Sequence, residues 1–188
     1  MLIKNVKSLF EYLSSLNNDK ILIKDFQKFS KIISNKLRKS GKIIICGNGG
    51  SFAEAQHFTA ELIVRLKKNN IRGPIPSITL GSEGSTITAH SNDFEFNTIF
   101  SRQFEGLVKK NDILITLSTS GNSKNIINVI KSANKKKIFN VNLLGGDGGQ
   151  VKKISKNNLI INLKDTGRIQ EIHLLLLHSL AEEIENNF

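Results

Sequence analysis

The chain has no tryptophan and a single cysteine, Cys46. One thiol excludes an internal disulfide, and without a disulfide framework the expected location is the cytoplasm. No run approaches the roughly 18 consecutive apolar residues of a membrane span, so no membrane partner is expected. The opening stretch, MLIKNVKSLFEYLSSLNNDK, scatters charges and lacks a small-residue cleavage site, so no signal peptide is expected. No proline- or serine-rich linker interrupts the chain, and no solenoid repeat occurs. Its 188 residues are therefore expected to form one domain, 1–188, with a full-sized core. Arginine is scarce, although the net charge is +11 and the pI about 9.8. The excess is lysine, in short runs at 67–68, 135–137 and 152–153. Arginine is the residue that forks onto phosphates and bases. Dispersed lysines read as a solvated surface, with no nucleic-acid partner, and would also attract small anionic substrates.

What is present is alternation. Val6, Leu9, Phe10, Leu13 and Leu16 recur at helical spacing over 3–17, NNDK breaks the pattern, and Ile23, Phe26, Phe29, Ile33 and Leu37 resume it over 20–38. An N-terminal helical hairpin, 1–39, follows. KIIIC (42–46) is then a short apolar, β-branched run, the mark of a strand buried on both faces. Similar runs occupy 76–80, 112–117, 138–144 and 158–163, with helix-like segments at 51–68, 97–108, 123–135 and 168–187. The expected fold is α/β, a parallel five-stranded sheet flanked by helices.

Ligands in such sheets sit at the carboxyl ends of the strands. There the chain has CGNGGS (46–51), STSGNS (118–123) and GGDGG (145–149). CGNGGS matches neither a Walker loop nor the dinucleotide fingerprint. Its glycines let backbone approach a ligand, and Ser51 with Glu54 reads as a capping box starting a helix at Ser51. The free amides of that helix end suit an anion, although a tight turn without a ligand has the same pattern. STSGNS offers four hydroxyls, Ser118, Thr119, Ser120 and Ser123, ahead of another helix, a cup for a phosphate monoester. His57, Glu61 and Arg65 stand at i, i+4 and i+8 on one stripe, as a surface ion-pair set or as base and metal ligands. His173 and His178 interrupt the apolar face of the last helix; such histidines are usually satisfied core residues, but here they could face a site.

Taken together, CGNGGS, AQHFTAEL (55–62), SNDFEFNTIFSRQFE (91–105), STSGNS and RIQEIHLLLLH (168–178) resemble the phosphoheptose isomerases, in order and spacing over nearly the whole chain. These are a branch of the sugar isomerase (SIS) domain superfamily. The resemblance implies a flavodoxin-like sheet and a homotetramer with active sites between subunits, its N-terminal helices packing on the domain and on neighbouring subunits. It implies conversion of sedoheptulose 7-phosphate to D-glycero-D-manno-heptose 7-phosphate, for lipopolysaccharide or capsule. By position it implies substrate contacts at Asn48, Gly49, Gly50, Ser51, Glu61, Arg65, Asn92, Asp93, Ser118, Thr119, Ser120, Ser123 and Gln170. It further implies one weakly held zinc ion per subunit on His57, Glu61, Gln170 and His178, with Glu61 and His178 as the acid–base pair. Bare helix geometry would align Glu171, not Gln170, with His178. The chain departs from its relatives at His90 and Ser91, where an aliphatic–glycine pair is usual, and at Gly167, where some carry an acid; both bear on sugar specificity. The alternative is a non-catalytic SIS protein that binds the replication initiator or senses a sugar phosphate. Such a protein has no need of His57, Glu61 and His178 together.

Overall fold

The computed structural model describes residues 1–188 and contains one five-stranded sheet. Strands β1 (Ile43–Cys46), β2 (Ser77–Thr79), β3 (Ile113–Ser118), β4 (Phe139–Gly145) and β5 (Asn158–Ile161) are all parallel, in the order β2-β1-β3-β4-β5. This is the flavodoxin-like order. Every residue of β1 and β3 is buried, because helices cover both faces. Successive side chains alternate between the faces, so Ile43 and Ile45 enter one core and Ile44 and Cys46 the other. Burial is worth about 1.5–3 kcal/mol for each large aliphatic or Phe side chain, so these strands are strong anchors for the loops that follow them. It also pushes the Cys46 thiol up, out of reach of nucleophilic chemistry.

The helical hairpin is α1 (Leu2–Leu16) and α2 (Lys20–Arg38). Asp19 starts α2 by accepting from the Leu22 amide at 2.9 Å. Phe29, Ile33 and Leu37 of α2, Ala55, Phe58 and Leu62 of α3 (Gly50–Ile63), and Ile172, Leu176 and Leu177 of α8 (Thr166–Glu185) cover one face of the sheet. The other face is covered by α5 (Ile99–Leu107), α6 (Lys124–Lys135) and the short α7 (Val151–Ile154). No helix is long and apolar enough to cross a membrane.

Several boundaries differ from the sequence reading. β5 stops at Ile161, because the Leu163 amide turns back onto the Ile161 carbonyl at 2.7 Å. Residues Gly84–Asp93 form a helix, α4, that periodicity did not reveal; GSTITAHSND is poor in helix formers. A 3₁₀ turn at Phe96–Thr98 precedes α5. Helix α3 begins at Gly50, one residue before Ser51, and Gly49 at φ +56° is its N-cap. Glycine alone takes that sharp exit from β1 without strain, so helical geometry sets in early. The expected capping box is therefore absent. Ser51 is buried inside the first turn, and one Glu54 oxygen is buried with no partner.

Helix α3 also ends at Ile63, not at 68. The Arg72 guanidinium takes its last carbonyls, donating to Glu61 O and Leu62 O at 2.8 Å each. Arg72 in turn pairs with Glu185 at 2.7 Å, and the Glu185 carboxylate accepts from the Leu66 and Lys67 amides at 2.9 and 3.3 Å. Burial alone would raise the Glu185 carboxyl, but those two amides and Arg72 outweigh it and hold it below the usual range.

Candidate active site

The connection after β1 runs to α3 on one face, and that after β3 runs to α6 on the other. Neighbouring strands whose connections diverge define a switch point, and the crevice at their carboxyl ends is where such sheets take ligands. Three loops meet there. The 118–123 loop is backed by the 146–150 loop: Val151 N donates to Gly121 O and Gln150 N to Asn122 Oδ1, both at 3.0 Å. Gly121, at φ +62°, packs its Cα against the Gly148 carbonyl, leaving no room for a side chain. Within the loop, the Ser118 and Ser120 hydroxyls accept from the Gly121 and Asn122 amides, each at 3.1 Å. Thr119 lies between them and Ser123 is the N-cap of α6, so hydroxyls and the first amides of α6 share one end. This is a cup with the chemistry of an anion site. GGDGG is the wall behind it.

Helices α3 and α8 run side by side, and their contacts proceed in step. The Gln170 amide packs on the Cα of Gly50, His178 meets His57, and Glu185 meets Leu66. Position 170 thus faces the glycine loop and position 178 the middle of α3. Glu171 does not join His178; it turns outward to Arg168, 2.6 Å away. The alignment argument for Glu171 fails because the two α8 side chains address different turns of α3.

At the middle of this seam, His57 Nε2 lies 2.9 Å from His178 Nε2 and 3.2 Å from Glu61 Oε1. Ligand atoms of all three lie within 4.8 Å of one another. The Glu61 side chain is 19% exposed and that of His57 48%, so the carboxylate is sheltered while the group stays open to a reactant. Two imidazole nitrogens and a carboxylate oxygen converging at this range can share a proton or hold a cation. The mixed N/O donor set suits zinc.

Other expected residues fall elsewhere. Arg65 lies beyond the end of α3, off the stripe with His57 and Glu61, and its guanidinium donates to the Lys68 carbonyl at 3.0 Å. Asn92 and Asp93 end α4, exposed, with Asn92 Nδ2 donating to Asp93 Oδ1 at 2.8 Å. Asp93 lines a shallow depression with Arg102 and Gln103, distinct in its lining from the cup. His90 points inward, stacks on Phe94 and bonds Glu95 O and Thr98 Oγ1 at 3.1 Å, so it pins the corner after α4. Gly167 lies in the first turn of α8, next to the cap that Asp165 makes on the Arg168 amide. His173 is fully buried and, beyond a weak pull from the Leu144 backbone, neither ring nitrogen finds a hydrogen-bond partner, so it is not the well-satisfied core histidine that its apolar setting suggests.

The sequence reading overlooked three polar residues. Asn125 pairs with Asn48 across the two loops. An asparagine in line with Val129 and Ala133 on the apolar stripe of α6 was the available signal. Arg72 and Glu185, which tie α3 to α8, left none, since Glu185 stands in a charged, seemingly solvated stretch near the chain end.

A flavodoxin-order sheet with a hydroxyl cup and a glycine loop at its switch point defines a sugar-phosphate-binding domain of the SIS class. The SIS domain family model matches residues 3–144. Phosphoheptose isomerase of Campylobacter jejuni is 40% identical over 178 residues, 95% of each chain. That of Helicobacter pylori is 44% identical over 157 residues, 84% of this chain and 81% of its own. A solved phosphoheptose isomerase from Neisseria gonorrhoeae superposes with TM-score 0.87 at 34% identity, covering 99% of this chain and 100% of that one. One from Francisella tularensis gives 0.88 at 30% identity, covering 99% of both. The chain belongs to the phosphoheptose isomerase family of SIS domain proteins.

Proposed function

We propose that this chain is the aldose–ketose isomerase that converts sedoheptulose 7-phosphate to D-glycero-D-manno-heptose 7-phosphate, for bacterial surface heptose. The observation that carries this reading is the meeting of His57, Glu61 and His178 on the α3–α8 seam. A protein that only binds a sugar phosphate needs the cup but not this trio.

In our reading the substrate phosphate rests in the 118–123 cup, on Ser118, Thr119, Ser120, Ser123 and the first amides of α6. Asn48, Gly49, Gly50, Ser51 and Gln170 line the sugar. Glu61 takes a proton from C1 of the ketose, and the electron pair moves into a C1–C2 double bond as His178 gives a proton to the C2 oxygen. The enediol then collapses in the opposite sense. O1 loses its proton to His178, C1 becomes the aldehyde, and Glu61 delivers a proton to C2. His57, Glu61 and His178 converge and would hold zinc, with Gln170, whose amide rests on Gly50, as the fourth donor that the family resemblance implies; the ion when bound supplies Lewis-acid polarisation of the sugar oxygens. With two of the four donors being oxygen atoms of Glu and Gln, the ion is weakly held, so metal analysis of purified protein should find less than one zinc per chain.

Arg65, Asn92 and Asp93 are solvent-facing in the single chain, and α1 presents Leu2, Ile3, Val6 and Phe10 uncovered. These exposed residues support association with further copies of the chain; in our reading the protein is a cytoplasmic homotetramer with active sites between subunits, in which those residues complete a neighbour's site. Incubation with sedoheptulose 7-phosphate in deuterated water, followed by NMR, tests the reaction. Deuterium at C2 of an aldoheptose phosphate is expected; no aldose, or an aldose with none of the label, overturns the mechanism.

A further inference from the structure

Between Cys46 and Ser51 the chain reads Gly-Asn-Gly-Gly, so Asn48 carries the only side chain of the loop after β1. Glycine backbone has the greatest freedom to lose on ordering, so such a loop needs an outside tether. The tether is visible. Asn48 Nδ2 donates to Asn125 Oδ1 at 2.9 Å, and Asn125 Nδ2 donates to Asn48 Oδ1 at 2.9 Å. Asn125 Oδ1 also accepts from the Ile126 amide at 2.9 Å, which locks the side chain against its own helix. Asn125 is 3% exposed, two residues after Ser123 in the first turn of α6.

The sheet does nothing to hold these segments together past its edge. The last register pair between β1 and β3 is Cys46 with Thr116, and beyond it the chain departs to opposite faces. The paired amides bridge that divergence. On one side Asn125 is continuous with the cup. On the other, Asn48 is continuous with Gly50, which carries Gln170 on its Cα, and with α3, which carries His57 and Glu61.

We propose that Asn125 is a positioning residue. It acts through Asn48 to hold the 47–50 loop in register with the 118–123 cup, so that a ketose anchored by its phosphate presents C1 and C2 to Glu61 and His178. This rests on the isomerase reading above. Each Asn48 polar atom keeps one unused proton or lone pair, so Asn48 can still touch the sugar while it is held.

The test compares Asn125→Ala, the near-isosteric Asn125→Asp, Asn48→Ala and the Asn48→Ala/Asn125→Ala double variant. Asn125→Asp keeps the shape and the acceptor but loses the donor, and serves if the alanine variant does not fold. Each single variant should lower kcat on the order of 10- to 100-fold, the scale of a displacement near 1 Å. Inhibition by inorganic phosphate should be unchanged, since the cup is intact. The double variant should be no slower than the worse single one, because the two residues act as one device. Multiplying losses in the double variant, or weakened phosphate inhibition at unchanged kcat, would overturn the proposal. Amide hydrogen exchange decides the matter without turnover: Asn125→Ala or Asn125→Asp should speed exchange at 47–51. Unchanged exchange there overturns the tether. Wild-type protein that fails to isomerise the ketose overturns only the isomerase reading.

Discussion

Glu61 combines shelter with reach: its carboxylate stands 3.2 Å from His57 Nε2 and is 19% exposed. Replacing it by glutamine keeps the shape and removes the proposed base. Glu61→Gln should lower kcat on the order of 10²- to 10⁴-fold, with an unchanged circular dichroism spectrum and unfolding midpoint. Full activity in that variant would remove Glu61 from the chemistry. Two other titrating residues affect stability, with opposite sign. Burial pushes the His173 imidazole down to about 4, against a weaker pull from the Leu144 backbone, while a histidine in the unfolded chain titrates near 6.5. Between those values the unfolded chain binds more protons, so stability is complete above pH 6.5 and is lost as pH falls toward 4, by roughly 3 kcal/mol. Urea unfolding on both sides of that window should show this slope in the wild type and lose it in His173→Leu. Burial raises Glu54 to about 7 from 4.5, so here the folded chain holds the extra proton and stability falls as pH rises through that interval. Glu54→Gln should remove that decline.

At the scale of elements, the seam between α3 and α8 brings the candidate site together, and its lower end is fastened by Arg72 and Glu185. Both side chains are almost fully buried, and Arg72 bonds the Glu61 carbonyl itself. Removing one partner strands the other charge in the interior, so Arg72→Ala should cost about 3–5 kcal/mol in a urea titration. A loss no larger than that of a surface pair would show that the network carries little of the packing. The elements themselves were largely legible. Strands such as IIIC and DILITL declare themselves because burial on both faces demands unbroken apolar runs, and the hairpin helices because one face of each must be apolar. Helix α4 was not legible, since its serines, threonines and Gly84 favour other local structure and tertiary contacts such as those of His90 hold it. The ends of α3 were misread for a related reason. Its start depends on the positive φ of Gly49, and its stop on Arg72, beyond the helix end, taking the last carbonyls.

At the scale of the whole molecule, α1 is the clearest pointer to assembly. Leu2, Val6 and Phe10 recur at i, i+4 and i+8 and stand exposed, while Leu9, Tyr12 and Leu13 pack on the core. A helix apolar on both sides leaves one apolar face for a partner, which the proposed assembly would supply from another chain. Wild-type protein should sediment with the mass of four chains, and Phe10→Asp should shift it toward smaller species and lower the activity in step. A monomer of full activity would refute the shared-site reading.

The sequence alone determined the kind of protein this is. The strand runs, the two loops bearing glycine and serine, and the His57–Glu61 spacing are local patterns, set by backbone periodicity and by what glycine and hydroxyls can do within a few residues. Tertiary structure alone decided which distant side chains meet. His57 and His178 are 121 positions apart and Asn48 and Asn125 are 77 apart. No local propensity encodes those meetings, because they follow from the packing of α3 against α8 and from the divergence of two connections at one sheet edge.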